Sequence, residues 1–319
     1  VYFIARLKDV LFDLLRDCPF PVRYLTKKKK NGLWGQVSFI LYRFRKMFLI
    51  ARETKPDLII GTDIVTTWVA KFNGIPSVIL NEDDLNQVPL MKYGLRFCTA
   101  SISPEGCDHG PFEEKHLSYK GIQESAYLHP HYFKEDVNVV DRFHDSSRPY
   151  FILRFAELSA HHDVGRAGLS DEQAMILVDK LSPHGDVYIT SERPLAPELD
   201  ERRIQIDPKD IHHVLAFAHM YIGDSQTMAA EAAILGTPSL RYNDFVGKLS
   251  YLEMLEQQFD LTKGIPVGSF ELLIETLDDW LAREDLKKDW SEKADEFFKE
   301  TEDVNKRWCG YMDEILLEH

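Results

Sequence analysis

The stretch GDSQTMAAEAAILGTPSLR, residues 223–241, sets one carboxylate, Glu231, in a run of alanines behind Gly223, Asp224 and Ser225. An apolar run at 220–222 precedes it and reads as a strand. Gly223 permits a sharp turn. Asp224 or Ser225 can cap the helix that follows, and Gly236, Thr237 and Pro238 end it. The first turn of such a helix carries free backbone N–H groups and the positive end of the helix dipole, which suits a phosphate. Thr227 and Glu231 are four apart and share a helix face. A phosphate near Ser225 and Thr227 leaves Glu231 one turn deeper, where its carboxylate could accept hydrogen bonds from two ribose hydroxyls. The alternative reading of the same residues is a plain turn and cap followed by an exposed helix Glu.

Other reactive side chains fall where apolar runs end. Asp63 follows LIIGT, and Glu82 and Asp83 follow SVIL. Two carboxylates at strand ends can hold separated pKa values and act as acid and base. The competing role for Asp63 is to cap a helix from Ile64, and for residues 81–84 to form a solvated turn. Arg154 ends the run YFILR and could clamp a diphosphate bidentately. His161, His162 and Asp163 follow in the same loop. Adjacent histidines point in different directions, so no shared metal is expected, whereas one of them, His161, suits a phosphate. The pairs His212 with His213 and His129 with His131 read as structural.

These groups need strands to present them, and the pattern supplies two series. Strands are expected at 1–5, 22–25, 57–60, 77–80, 99–102 and 117–119, with helices at 36–53 and 64–72. A second series has strands at 150–154, 186–189, 203–206, 220–222 and 239–240, with helices at 171–181, 208–218 and 227–235. Strand–helix alternation builds parallel sheets with helices on both faces. The expectation is an α/β chain of two Rossmann-like doubly wound domains, 1–135 and 136–319, facing across a cleft, with a return of the last helices to the first domain left open. The polar stretch 134–148 reads as a linker, and the chain is helical from 269 onward. Ligands of such sheets sit beyond the carboxyl ends of the strands.

Composition narrows the class. In 319 residues, 44% are hydrophobic and 28% charged, enough to bury two cores. A net charge of −14 argues against a nucleic-acid partner. Cys18, Cys98, Cys107 and Cys309 are irregularly spaced, which suggests neither zinc site nor disulfide framework and fits a reducing cytoplasm. The run Lys27–Lys30 precedes a helix in which Phe39, Tyr42, Phe44, Met47 and Phe48 stand beside Arg43, Arg45, Lys46 and Arg52. Basic and aromatic residues together admit peripheral contact with an anionic membrane on its cytoplasmic face, the alternative being a buried helix after a solvated loop. The chain opens on the apolar VYFIAR, which reads as a strand already under way and suggests that a preceding strand and loop are missing.

GDSQTMAAEAAILGTPSLR resembles the nucleotide-sugar signature of GT-B-fold enzymes, which include many glycosyltransferases and the UDP-N-acetylglucosamine 2-epimerases. PDLIIGTD, IPSVILNEDD, YKGIQESAYLHP and RFAELSAHHD together resemble an uncharacterised bacterial and archaeal branch of that superfamily. The resemblance implies that Ser225, Gln226 and Thr227 face the diphosphate, with Arg154 and His161 beside them, and that Glu231 faces the ribose. Several relatives carry two glycines where this chain has Gln226 and Thr227. It also implies Asp63 and Glu82 as catalytic carboxylates, a UDP-sugar as substrate, and neither cofactor nor metal. The implied activity is glycosyl transfer to an acceptor of unknown kind, with lipid-linked acceptors among the candidates, in cell-surface polysaccharide or glycoconjugate synthesis. The alternatives are an epimerase on the same donor and a non-catalytic nucleotide-sugar binder.

Overall fold

The computed structural model describes residues 1–6, 9–26, 32–156 and 168–319. They form two compact units, Val1–Tyr119 with Asn305–His319, and Lys120–Val304.

The first unit carries β1 (Phe3–Arg6), β2 (Val22–Leu25), β3 (Ile59–Gly61), β4 (Ser77–Leu80), β5 (Ala100–Pro104) and β6 (His116–Tyr119). Its helices are α1 (Asp9–Leu14), α2 (Leu33–Thr54), α3 (Ile64–Asn73) and α4 (Lys92–Leu95). β1 pairs with β2, and a separate parallel sheet runs β3-β4-β5-β6. β4 and β5 read as continuous apolar or small-residue runs because neighbours cover both faces of a parallel sheet. Leu25, Met47, Ala51, Val65 and Val69 form a core cluster that ties β2 to α2 and α3.

The second unit carries β7 (Tyr150–Phe155), β8 (Asp186–Ser191), β9 (Met220–Gly223), β10 (Ser239–Tyr242) and β11 (Thr262–Ile265). Its helices are α5 (Ser125–Leu128), α6 (Val137–Val140), α7 (Asp171–Leu181), α8 (Pro197–Asp200), α9 (Ile211–Phe217), α10 (Gln226–Ile234), α11 (Ser250–Gln257), α12 (Phe270–Leu281) and α13 (Leu286–Glu300). The final helix, α14 (Val304–Glu318), groups from Asn305 with the first unit, where Tyr311 donates to the Ser118 carbonyl at 2.6 Å.

The sheet of the second unit is parallel throughout, in the order β11-β10-β9-β7-β8. The chain goes from β7 outward to β8, then returns to the other side of β7 for β9. That reversal is a topological switch point, and it lies between β7 and β9. Phe151, Leu153, Ile222 and Leu240 are fully buried here, each contributing about 1.5–3 kcal/mol.

Two sequence expectations change. The stretch 134–148 is packed rather than a free linker: it contains α6, and Val139, Val140 and His144 are buried in the second unit. The strand expected at 203–206 is reduced to one bridge between Arg203 and Ile189 on the outer side of edge strand β8.

Candidate functional site

At the switch point, Arg154 of β7 lies in register with Gly223 of β9. A Cβ on Gly223 would fall 2.6 Å from the Tyr221 hydroxyl and 2.8 Å from the Arg154 carbonyl oxygen, so only glycine fits this close approach of strands. The chain then turns into α10, and Ser225 is the N-cap, its hydroxyl accepting from Met228 N–H at 3.4 Å. Ser225 and Gln226 are half-buried and Thr227 is exposed. Arg154 itself is 15% exposed and pairs through one guanidinium nitrogen with Glu192. Its buried Nε has no hydrogen-bond partner among the described residues. Arg154 and the N-terminus of α10 are thus carried at the same ends of neighbouring strands, a combination suited to an anion.

Asp224 takes a different role from the cap that sequence allowed it. It is 2% exposed, and its Oδ1 accepts from Ala156 N–H at 2.6 Å. The Leu169 N–H also bonds the carboxylate. Asp224 therefore ties the end of β7 to residue 169, ahead of α7. Gly168 has to lack a side chain because a Cβ there would lie 2.4 Å from Asp224 Oδ2. Burial raises the Asp224 carboxyl to about 6, against the opposing pull of these backbone donors. Asn243 completes the turn, donating to the Asp224 carbonyl at 3.2 Å.

Glu231 lies deeper along α10, whose residues 229–234 are all buried. Small side chains let α5, α9, α11 and α13 and strand β10 approach this helix from several sides. That is why a helix with one carboxylate is otherwise built of alanines. Glu231 is 8% exposed. Its Oε1 accepts from the Tyr127 hydroxyl at 2.8 Å and from His212 Nε2 at 3.0 Å. The exposed-residue reading of Glu231 is thereby overturned: the carboxylate is buried and held. His161 lies outside the described residues.

The first-unit carboxylates differ from one another. Asp63 caps α3, its Oδ1 accepting from Val65 N–H at 2.8 Å and Thr66 N–H at 3.4 Å. Its other oxygen bonds the Arg43 guanidinium. Glu82 follows β4 and is half-buried. Its carbonyl accepts from Cys107 Sγ at 3.1 Å, and Asp84 accepts from Asp108 N–H at 2.8 Å, which pins this loop to the one after β5. Burial, with Asp84, Glu82 and Asp83 nearby, pushes the Cys107 thiol far above its usual value, so it is an inert thiol.

Close by, His109, Glu113 and His116 bring their ligand-capable atoms within 4.8 Å of one another. His109 Nδ1 faces the Cys107 carbonyl at 3.2 Å and His116 Nδ1 faces Glu113 Oε1 at 3.2 Å, so each Nδ1 bears the hydrogen. Each Nε2 then accepts from a serine, Ser101 at 3.1 Å for His109 and Ser103 at 2.7 Å for His116. Burial, reinforced by the neighbouring His116, holds His109 below the usual imidazole value. The rings stack at 4.0 Å with 11° between their planes. Their lone pairs lie in nearly parallel planes and do not converge on a common ion, so this arrangement is a hydrogen-bonded clamp on β5 and β6.

No protein-family model matches the chain, and no curated protein sequence matches it. Solved structures do match. UDP-GlcNAc 2-epimerase from Neisseria meningitidis bound to UDP-GlcNAc is similar with a TM-score of 0.60 at 14% identity, covering 100% of this chain and 91% of that one. The S. aureus MnaA–UDP co-structure gives 0.59 at 14%, covering 92% of this chain and 91% of that one. MurG from Acinetobacter baumannii gives 0.54 at 12%, covering 100% and 91%. The chain has the GT-B fold.

Within this GT-B chain, sequence reasoning located Arg154, Ser225, Gln226, Thr227 and Glu231 in one unit, and the fold gathers them along β7, β9 and α10. Tyr127 and His212, the latter expected to be structural, join them through Glu231. Tyr127 stands 104 residues from Glu231 and His212 stands 19 away, so no local spacing announces the contact. His213 does fit a structural role, accepting from Asp136 N–H at 3.0 Å.

Proposed function

We propose that this chain is a glycosyltransferase that uses a nucleotide sugar, with UDP as the nucleotide. The observation that carries the reading is the register of Arg154 with Gly223 at the β7/β9 switch point, with the N-terminus of α10 following directly and the buried Glu231 further along that helix. The Arg154 guanidinium and the α10 amides would hold the diphosphate, with Ser225, Gln226 and Thr227 beside them. Glu231 would accept from the ribose hydroxyls. As the bond from the sugar to the diphosphate breaks, negative charge grows on the leaving oxygen, and the helix dipole and Arg154 stabilise it. A carboxylate then takes the proton of the acceptor hydroxyl as its oxygen bonds the sugar carbon.

One carboxylate is enough for transfer, and of the two candidates, Asp63 and Glu82, Asp63 has both oxygens engaged, by its helix and by Arg43. The same observation weighs against an epimerase. That reaction removes the C2 proton as UDP leaves C1, then returns UDP to C1 and a proton to the opposite face of C2. It calls for groups on both faces of the sugar, and Asp63 would first have to leave its partners. The test is product analysis after incubation with UDP-GlcNAc, with and without a lipid-linked acceptor extract. Free UDP with a new glycoside supports the transferase. UDP-ManNAc would replace it with the epimerase, and donor binding without turnover would leave a binder.

We also propose that the first unit meets an anionic membrane, where a lipid-linked acceptor would be found. Ile40, Leu41, Phe44, Phe48, Trp68 and Phe72 line an apolar groove formed by α2 and α3. Trp34 is 85% and Phe72 72% exposed, and the cations Arg45, Arg52 and Lys71 on the same helices are exposed too. Each cation near such a surface adds about 1 kcal/mol. Among the described residues no helix is long and apolar enough to cross a membrane. Flotation with phosphatidylserine-containing vesicles, but not with pure phosphatidylcholine, is the expected result, and loss of flotation in Trp34→Ser/Phe72→Ser supports this face. Equal recovery with both vesicle types, or none with either, contradicts it.

A further inference from the structure

Tyr127 of α5 and His212 of α9 come together on α10 from different parts of the chain. The Tyr127 hydroxyl and His212 Nε2 both reach Glu231 Oε1, at 2.8 and 3.0 Å, and their rings lie 5.3 Å apart. A carboxylate oxygen only accepts, so the Tyr127 hydroxyl and the His212 Nε2 hydrogen both donate to it. Among the described residues Oε2 accepts no hydrogen bond. The side chain keeps 10% of its surface exposed. Donors on one oxygen remove the freedom of the carboxylate to turn about its last bond, and they leave the lone pairs of the other oxygen for a ligand. Alanines around Glu231 could not provide that restraint, because they offer no polar atom.

We propose that Tyr127 and His212 are positioning residues that aim Glu231 Oε2 at the ribose hydroxyls, and that they thereby set a preference for ribonucleotides over 2′-deoxyribonucleotides. This rests on the nucleotide reading of the site given above. A carboxylate already fixed in direction forms the ribose hydrogen bonds with little loss of rotational freedom. A carboxylate that swings gives up part of that advantage, and the loss falls on the ligand that uses both hydroxyls.

The test is calorimetric titration of UDP and 2′-deoxy-UDP into the wild type, Glu231→Ala, Tyr127→Phe, His212→Ala and His212→Gln, each checked for folding by circular dichroism. The wild type should prefer UDP. Tyr127→Phe and His212→Ala should weaken UDP by about tenfold, leave 2′-deoxy-UDP nearly unchanged and bring the ratio toward unity. His212→Gln, whose amide can donate from a position near Nε2, should recover most of the ratio. A ratio unaffected in folded Tyr127→Phe and His212→Ala, while Glu231→Ala abolishes it, overturns the positioning role and leaves the nucleotide site standing. If the wild type binds neither nucleotide, the site reading fails and this inference fails with it.

Discussion

Arg154 and Gly223 face one another across β7 and β9, at the point where the strand order of the second unit reverses. The absence of a side chain at 223 lets the strands close up while the chain turns into α10. The guanidinium and the helix N-terminus are thereby placed at the same strand ends.

Gly223→Ala should therefore be costly. The added methyl meets the Tyr221 hydroxyl at 2.6 Å and Arg154 Cβ at 2.8 Å, and the Tyr221 ring is fully buried in the sheet. Denaturant unfolding should show a loss of about 1–3 kcal/mol, the range for overpacking a well-packed core. A variant as stable as the wild type would show that the strands can part.

Arg154→Ala should weaken UDP by about 1.5–3 kcal/mol, the worth of a hydrogen bond to a charged group, while uridine affinity changes little. Arg154→Lys should recover only part of the loss, because a point charge does not reproduce the planar fork. Equal losses for UDP and uridine would mean that Arg154 acts through the fold and not through the phosphates.

The alanines of α10 predict their own intolerance. Ala233 is fully buried, and α13 packs on the same helix. Ala233→Leu should destabilise by about 1–3 kcal/mol in thermal or denaturant unfolding. An unchanged midpoint would reveal unfilled space beside the helix.

Asp224 gives a pH dependence with a definite sign. Its folded value of about 6 stands above the ordinary carboxylate value, because burial disfavours the charge. The folded state therefore binds the proton more tightly than the unfolded chain. The stabilisation from this group is present in acid and is lost as pH rises through about 6. Relative to Asp224→Asn, the wild type should gain on the order of 1–3 kcal/mol between pH 7 and pH 4. Parallel stability profiles for the pair would contradict it.

What sequence could reveal depended on how local the signal was. β9 and α10 are marked by an apolar run, a turn glycine, a capping serine and a Gly-Thr-Pro stop, all within a few residues, and the structure places them within a residue or two of expectation. β11 went unseen because TKGI pairs only with β10 and carries an exposed Lys263 in place of an apolar run. Arg241 ends a motif that was read closely, yet nothing local showed that it is fully buried. Its partner Glu256 lies 15 residues on, at 2.9 Å. The contacts of Tyr127 and His212 with Glu231 are hidden for the same reason: the helices that carry them meet α10 only through tertiary packing. His144 and the valines of α6 were hidden by the polar residues around them.

The central claim is that the buried carboxylate in the alanine helix receives a nucleotide, and its most direct test is calorimetric titration of UDP into the wild type and into Glu231→Ala. The account predicts that the wild type binds and that the folded variant loses about 1–3 kcal/mol, as when a buried hydrogen-bonding partner is removed. Equal binding by both proteins, or binding by neither, would contradict it and leave Glu231 as a structural link between α5, α9 and α10.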